Sequence, residues 1–270
     1  MNFPTPAGFI IRTEAYKKFN AVEQVVPTLP TGLLLECKHH VRVMEEETNM
    51  SFEYKKMNHP LLLSVRCGTS EITPNLNYSV LNVGMNDDVC QQLEDWSGNK
   101  WFALNTYANF LYSFGVHVLH IPVSTYLKIV DEFSEVGIDE FNFCTEALLV
   151  IVSRMKAVTE IPEDAWQQLC LVVLSMFVNW KSRCPRGSSL CPAITIQEMI
   201  YGNFNNNSGS GVLFSRDPIT GNEGVYGEYI YQMAGTGISS GIEMSNSVEV
   251  QSVDLGSLMD IQFQFKPYRL

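Results

Sequence analysis

A chain of 270 residues with 46% hydrophobic content can bury one large core or two small ones without disulfides or metals. Its formal net charge of −11, with no basic run to offset it, excludes a surface for phosphate backbones or anionic lipids, so neither nucleic acid nor membrane is an expected partner. Charged residues make up only 17% and aromatics 11%, so apolar surface has to be hidden in a core or against another protein.

The opening MNFPTPAGFII has no basic segment and no long apolar run ending in small residues. It does not read as a secretory signal, and a cytoplasmic location is expected. From there to about Gly115, short β-like runs such as LLLSVRC and SVLNVG alternate with helical pieces and Pro or Gly punctuation, the texture of an α+β lobe. Within it, SVRCGTS is an apolar strand leading through Arg66 into a Gly-containing loop. A guanidinium beside backbone amides can hold a phosphate, and an Arg at a strand end can equally bridge to a carboxylate. The segment ECKHH offers Cys37, His39 and His40, but no second ligand cluster with zinc spacing accompanies it, so a polar helix face is expected.

Residues 116–190 form the second zone, nearly free of Gly to Arg183 and apolar at helical spacing, which predicts a helical subdomain. Its clearest helix opens at IPEDAW, where Pro162 suits the first turn and Glu163 and Asp164 complement the helix dipole. Trp166, Leu169, Cys170, Val173, Leu174 and Phe177 then mark one buried face. The uncharged stretch from Ala165 to Trp180 falls short of the ~20 residues a membrane helix needs, so it reads as a core helix.

The third zone, 191–270, carries ITIQEMIYG, SGVLFS and GEYIYQ, which alternate as strands do between Asn- and Gly-rich turns. In GSGVLFSRDPITGNEGVYGEYIY, a Gly-rich hairpin precedes an Arg-Asp-Pro turn and a strand bearing Glu228. Such a carboxylate can hold Mg²⁺ on a nucleotide or simply be solvated. The tail MDIQFQFKPYRL alternates like a further strand, able to pair within this protein or with a neighbour. The seven cysteines are odd in number and scattered, which predicts reduced thiols, several of them buried.

Seven segments in order, FPTPAGFIIRTEAY, PLLLSVRCGTS, VLNVGMND, SGNKWFALNTY, IPEDAWQQL with its following FVNW, IQEMIYGN and SGSGVLFSRDPITGNEGVYGEY, resemble successive blocks of the nucleotide-binding domain of the pyruvate phosphate dikinase family. The resemblance implies an ATP-grasp-like α+β fold of two lobes with an intervening helical subdomain, and Mg-ATP held between lobes 1–115 and 191–270. It places Arg66 on the family's phosphate-contacting Arg, and Gln197, Met199 and Ile200 on the adenine-side strand. Arg216 falls on the Arg of the Arg-Asn-Pro turn, and Glu228 on the acidic residue near metal and phosphates.

The departures concern phosphate handling. The family's Gly-Gly-Lys-Gly segment lies upstream of a position where this chain begins with Met1, Asn2 and Phe3, so that lysine is not expected here. The family's Gly-Met-Met-Asp loop becomes Asn75, Leu76, Asn77 and Tyr78, its paired Arg becomes Ala108 and Asn109, and its Asn-Ala-Gln-Gly-Glu-Asp run becomes Gln232 to Gly237. None of the five histidines sits in a phosphocarrier motif, and a pyruvate barrel is not expected in this chain. The expectation is a dikinase-like domain that has lost catalysis, binds Mg-ATP weakly or not at all, and serves as a structural component of a protein assembly. The alternative is an ATP-binding phosphotransferase module working with separate phosphohistidine and pyruvate domains.

Overall fold

The computed structural model describes residues 5–23, 25–54, 58–68, 78–134, 145–183, 191–205, 207–216 and 220–231. Two units form, residues 1–199 and 200–270. The first contains β1 (Gly8–Ile11), α1 (Thr13–Asn20), α2 (Leu33–Thr48), β2 (Met50–Ser51), β3 (His59–Pro60), β4 (Leu63–Gly68), β5 (Ser79–Val83), α3 (Asp87–Ser97), α4 (Lys100–His117), α5 (Val123–Ser134), α6 (Thr145–Val158), α7 (Ala165–Arg183) and β6 (Ala193–Glu198). The second contains the strands β7 (Gly209–Arg216) and β8 (Glu223–Tyr231).

Helices and antiparallel strands together make the first unit an α+β structure. Its main sheet has the order β1-β6-β4-β5, every neighbour antiparallel. The strand β6 comes from the segment assigned to the third zone, and it takes a central place in the sheet of the first. Period-two alternation decides which face is inside: Leu63, Val65 and Cys67 on β4 and Ile194 and Ile196 on β6 are buried. Each such side chain contributes roughly 1.5–3 kcal/mol by leaving water. Helix α7 closes over this face through Trp180, fully buried, whose Nε1–H donates to the Cys67 Sγ at 2.9 Å. Helix α1 then joins α7 through the rings of Tyr16, Phe19 and Phe177, and α4 packs on β5.

Helices α3, α4 and α7 begin where the sequence supplies a side-chain cap. Asn86 accepts from the Val89 amide at 2.9 Å and Asn99 from the Phe102 amide at 3.1 Å, starting α3 and α4. Gly98, at φ +64°, ends α3 in the left-handed conformation that glycine adopts without steric cost. Helix α7 is capped by Asp164, whose carboxylate accepts from the Gln167 amide at 2.9 Å, so IPEDAW starts a helix one turn later than Pro162 alone suggests.

The inward face of α7 is also rotated from the expected one. Leu169, Val172, Val173, Met176, Phe177 and Trp180 are buried, while Trp166, Cys170 and Leu174 are half-buried. The cause is Gln168, which is fully buried. Its amide accepts from the Gly84 N–H at 2.8 Å and donates to the Met85 carbonyl at 2.9 Å and the Pro162 carbonyl at 2.7 Å. This polar knot turns the first turn of α7 toward the β5–α3 connection. Among the described residues, no helix is long and apolar enough to cross a membrane.

In the second unit, β7 and β8 form an antiparallel ribbon, with Gly221 at φ +75° in the connection between them.

Candidate functional site

Cross-strand partners share a face of a sheet, as do residues two apart on a strand. The register therefore sets two rows on the face of the main sheet opposite the core. One row runs Ser79, Arg66, Thr195, Ile10, and the next runs Ser64, Gln197, Gly8. Arg66 and Gln197, two of the expected nucleotide-binding residues, are thus neighbours on adjacent strands. Arg66 is exposed, and its Nε–H donates to the Ser64 Oγ at 2.9 Å. Of the residues in these two rows, Arg66 is the one that carries a charge.

Gly8 explains why the PxPxGF opening needs its glycine. A Cβ there would lie 2.5 Å from the Ile196 carbonyl oxygen and 2.7 Å from the Gln197 Cγ. The Gln197 side chain occupies the space that a larger residue would need. At the end of β6, Glu198 is committed to backbone: its Oε1 accepts from the Ala7 amide at 3.0 Å, and its own amide donates to the Ala7 carbonyl at 2.9 Å. Met199, half-buried, donates its amide to the Leu62 carbonyl at 2.9 Å. Ile200 opens the second unit and is 55% exposed.

Within the second unit, Arg216 and Glu228 occupy different positions along the ribbon. Arg216 lies at the turn end of the ribbon, where its Nη2 pairs with the Glu223 Oε1 at 2.8 Å and its Nη1 donates to the Gly221 carbonyl at 3.3 Å. Glu228 is opposite Val212, four residues along β7 from Arg216, about 13 Å at the usual strand rise. The guanidinium expected at a phosphate is engaged in closing its own hairpin.

The departures can be placed too. Ala108 is buried in α4 and Asn109 is exposed on it. Tyr78 stacks on His117 with ring centroids 4.7 Å apart, and its hydroxyl accepts from the Asn179 Nδ2 at 2.8 Å. Side-chain packing thus anchors a position where the resemblance expects an acid. Asn75 to Asn77, Gln232 to Gly237 and the tail MDIQFQFKPYRL lie outside the described residues.

Cys37, Cys67, Cys90, Cys170 and Cys191 are free thiols, while Cys144 and Cys184 lie outside the described residues. Burial pushes the Cys37, Cys67 and Cys90 thiols from 9.0 up to about 12, so they stay protonated and unreactive at neutral pH. In ECKHH, Cys37 is buried in α2 while His39 and His40 are exposed on it. His40 stacks on Phe9 of β1, centroids 5.1 Å apart.

Ser64 and Thr195 were not singled out by sequence reading. The period of two in SVR, which puts Ser64 on the same face as Arg66, is the signal that finds the first. Thr195 becomes visible only once the pairing of β4 with β6 is known.

No family model matches the chain. It is 32% identical to the pyruvate, phosphate dikinase of Rickettsia typhi over 89% of its own length, and 31% identical to the chloroplastic pyruvate, phosphate dikinase 1 of Oryza sativa over 98%. The chain is a partial relative of the pyruvate, phosphate dikinases. It spans 29% and 31% of the length of those two relatives. A more distant dikinase, from Entamoeba histolytica, is 28% identical over 99% of the chain.

Proposed function

We propose that the chain is an ATP-grasp-type nucleotide-binding domain that holds Mg-ATP weakly, has lost phosphoryl transfer and serves as a non-catalytic component of a protein assembly. The observation that carries this reading is the sheet face opposite the core, where Arg66 is the one charged residue of the two rows that bear Ser64 and Gln197. A triphosphate needs several cations. The two α4 positions at which the dikinase resemblance expects arginines are Ala108 and Asn109, and Arg216 is paired with Glu223. Each charge-assisted hydrogen bond to an anion is worth ~1.5–3 kcal/mol, so losing two of them lowers affinity by roughly two to four powers of ten. Gln197, Met199 and Ile200 would lie on the adenine side, and Glu228 would supply a carboxylate for Mg²⁺.

The assembly role is supported by large apolar side chains left in water. Val25, Val26, Leu35 and Ile10 are 103%, 72%, 73% and 59% exposed, in a chain with only 17% charged residues to surround them. Purification from the native source should give a particle larger than the monomer; a lone monomer that hydrolyses ATP would contradict the role.

The second reading is an ATP-binding phosphotransferase module that works with separate phosphohistidine and pyruvate domains. Arg66, exposed on its strand, is the observation that favours it. Mg-ATP titration together with an assay for nucleotide turnover separates the two: binding without product formation supports the first, and steady product formation the second.

A further inference from the structure

Arg66 leans along β4 toward Ser64 rather than extending freely, because its Nε–H is held by the Ser64 hydroxyl at 2.9 Å. Ser64 is 3% exposed although it lies on the outer face. Beside it, the Gln197 side chain leans away over Gly8, with its Cγ in the space a Gly8 Cβ would fill. Both partners of the bond lie on a strand whose backbone is paired on each side, by β5 and by β6. Using Nε for this anchor reserves the two Nη groups as the donors left for a ligand. A parallel pair of N–H groups is the arrangement that grips two oxygens of one anion.

We infer that Ser64 is the positioning residue of this site: it fixes Arg66 so that the guanidinium is presented as a preformed fork to the phosphate oxygens of the bound nucleotide. The inference rests on the nucleotide-binding reading proposed above. Ordering a long side chain is a main cost of recruiting it to a ligand, and the anchor meets that cost before binding. Ser64 acts through Arg66 and makes no contact with the ligand itself, so its effect disappears once Arg66 is gone.

The test follows the Arg66 Nε–Hε resonance by NMR during titration with Mg-ATP, in the parent protein and in Ser64→Ala, Ser64→Thr, Arg66→Ala and the Ser64→Ala/Arg66→Ala double variant. In the parent, Hε exchange with solvent is slow; in Ser64→Ala it is fast and Mg-ATP affinity falls about five- to tenfold. Ser64→Thr, which keeps the hydroxyl, restores both readouts, and the double variant binds no worse than Arg66→Ala alone. Should Ser64→Ala fail to fold, Ser64→Cys replaces it, since a thiol is a weak acceptor. Equally fast Hε exchange in parent and Ser64→Ala overturns the anchor whatever the nucleotide does. Slow exchange with unchanged Mg-ATP affinity in Ser64→Ala overturns the positioning role alone. A protected Hε in a parent protein that gives no response to Mg-ATP overturns the nucleotide reading, and with it the role of Ser64 there.

Discussion

Gly115 shows how much a single hydrogen atom decides in this fold. A Cβ at that position of α4 would lie 1.6 Å from the Tyr126 hydroxyl oxygen, which is itself 2.7 Å from the Thr159 Oγ1. The ring is 1% exposed and has no room to retreat. Gly115→Ala is therefore expected to destabilise the protein by about 2–4 kcal/mol, from overpacking plus loss of the buried hydroxyl contact. Tyr126→Phe keeps the ring and removes the hydroxyl, with its contacts to Thr159 and to the Leu111 carbonyl at 3.4 Å, and should cost about 1–2 kcal/mol. Chemical denaturation of the two variants checks the order, and a neutral Gly115→Ala would contradict the packing described. At this scale the site was partly legible in the sequence. Arg66 and Gln197 were candidates from their motifs, whereas Ser64 was not singled out although its spacing from Arg66 was there to read. The commitment of Arg216 to Glu223 could not be read, because it depends on how the hairpin closes rather than on either residue.

Among the elements, α7 depends on a polar residue in its apolar face. Gln168 satisfies one amide and two carbonyls from two connections, so Gln168→Ala leaves three backbone groups without their partner. The expected cost is about 3 kcal/mol or more, against about 1 kcal/mol for Asp164→Ala, which removes only the cap. Thermal melting of both variants tests this, and equal shifts would contradict it. Helices α5, α6 and α7 fall where helical spacing was read, because that signal is local, whereas Asp164 was not recognised as the cap of α7. The face of α7 was misread by a fraction of a turn because hydrophobic spacing gives no weight to a buried amide. The place of β6 was not readable at all: it pairs with β1 and β4 across most of the chain, and alternation alone does not name a strand's partners.

Across the whole molecule, buried acids set the response to alkali. The Cys37, Cys67 and Cys90 thiols are held protonated by burial up to about 12, whereas in the unfolded chain they ionise near 9.0. Burial raises the Tyr107 phenol as well, with the nearby Asp87 carboxylate adding to it. A folded pKa above the unfolded one gives stability that is complete below pH 9.0 and is lost as pH rises toward 12. The melting temperature should therefore decline through that window, and a flat profile would show that the thiols are not held as described.

Arg66, as the one charged residue of the two rows that bear Ser64 and Gln197, is expected to hold Mg-ATP only weakly. Isothermal titration with millimolar Mg-ATP, followed by analysis of the nucleotide recovered, tests it most directly. The account predicts weak binding in the millimolar range, weakened further by Arg66→Ala, with the ATP recovered intact. Micromolar binding, or steady conversion of the ATP to products, would contradict it.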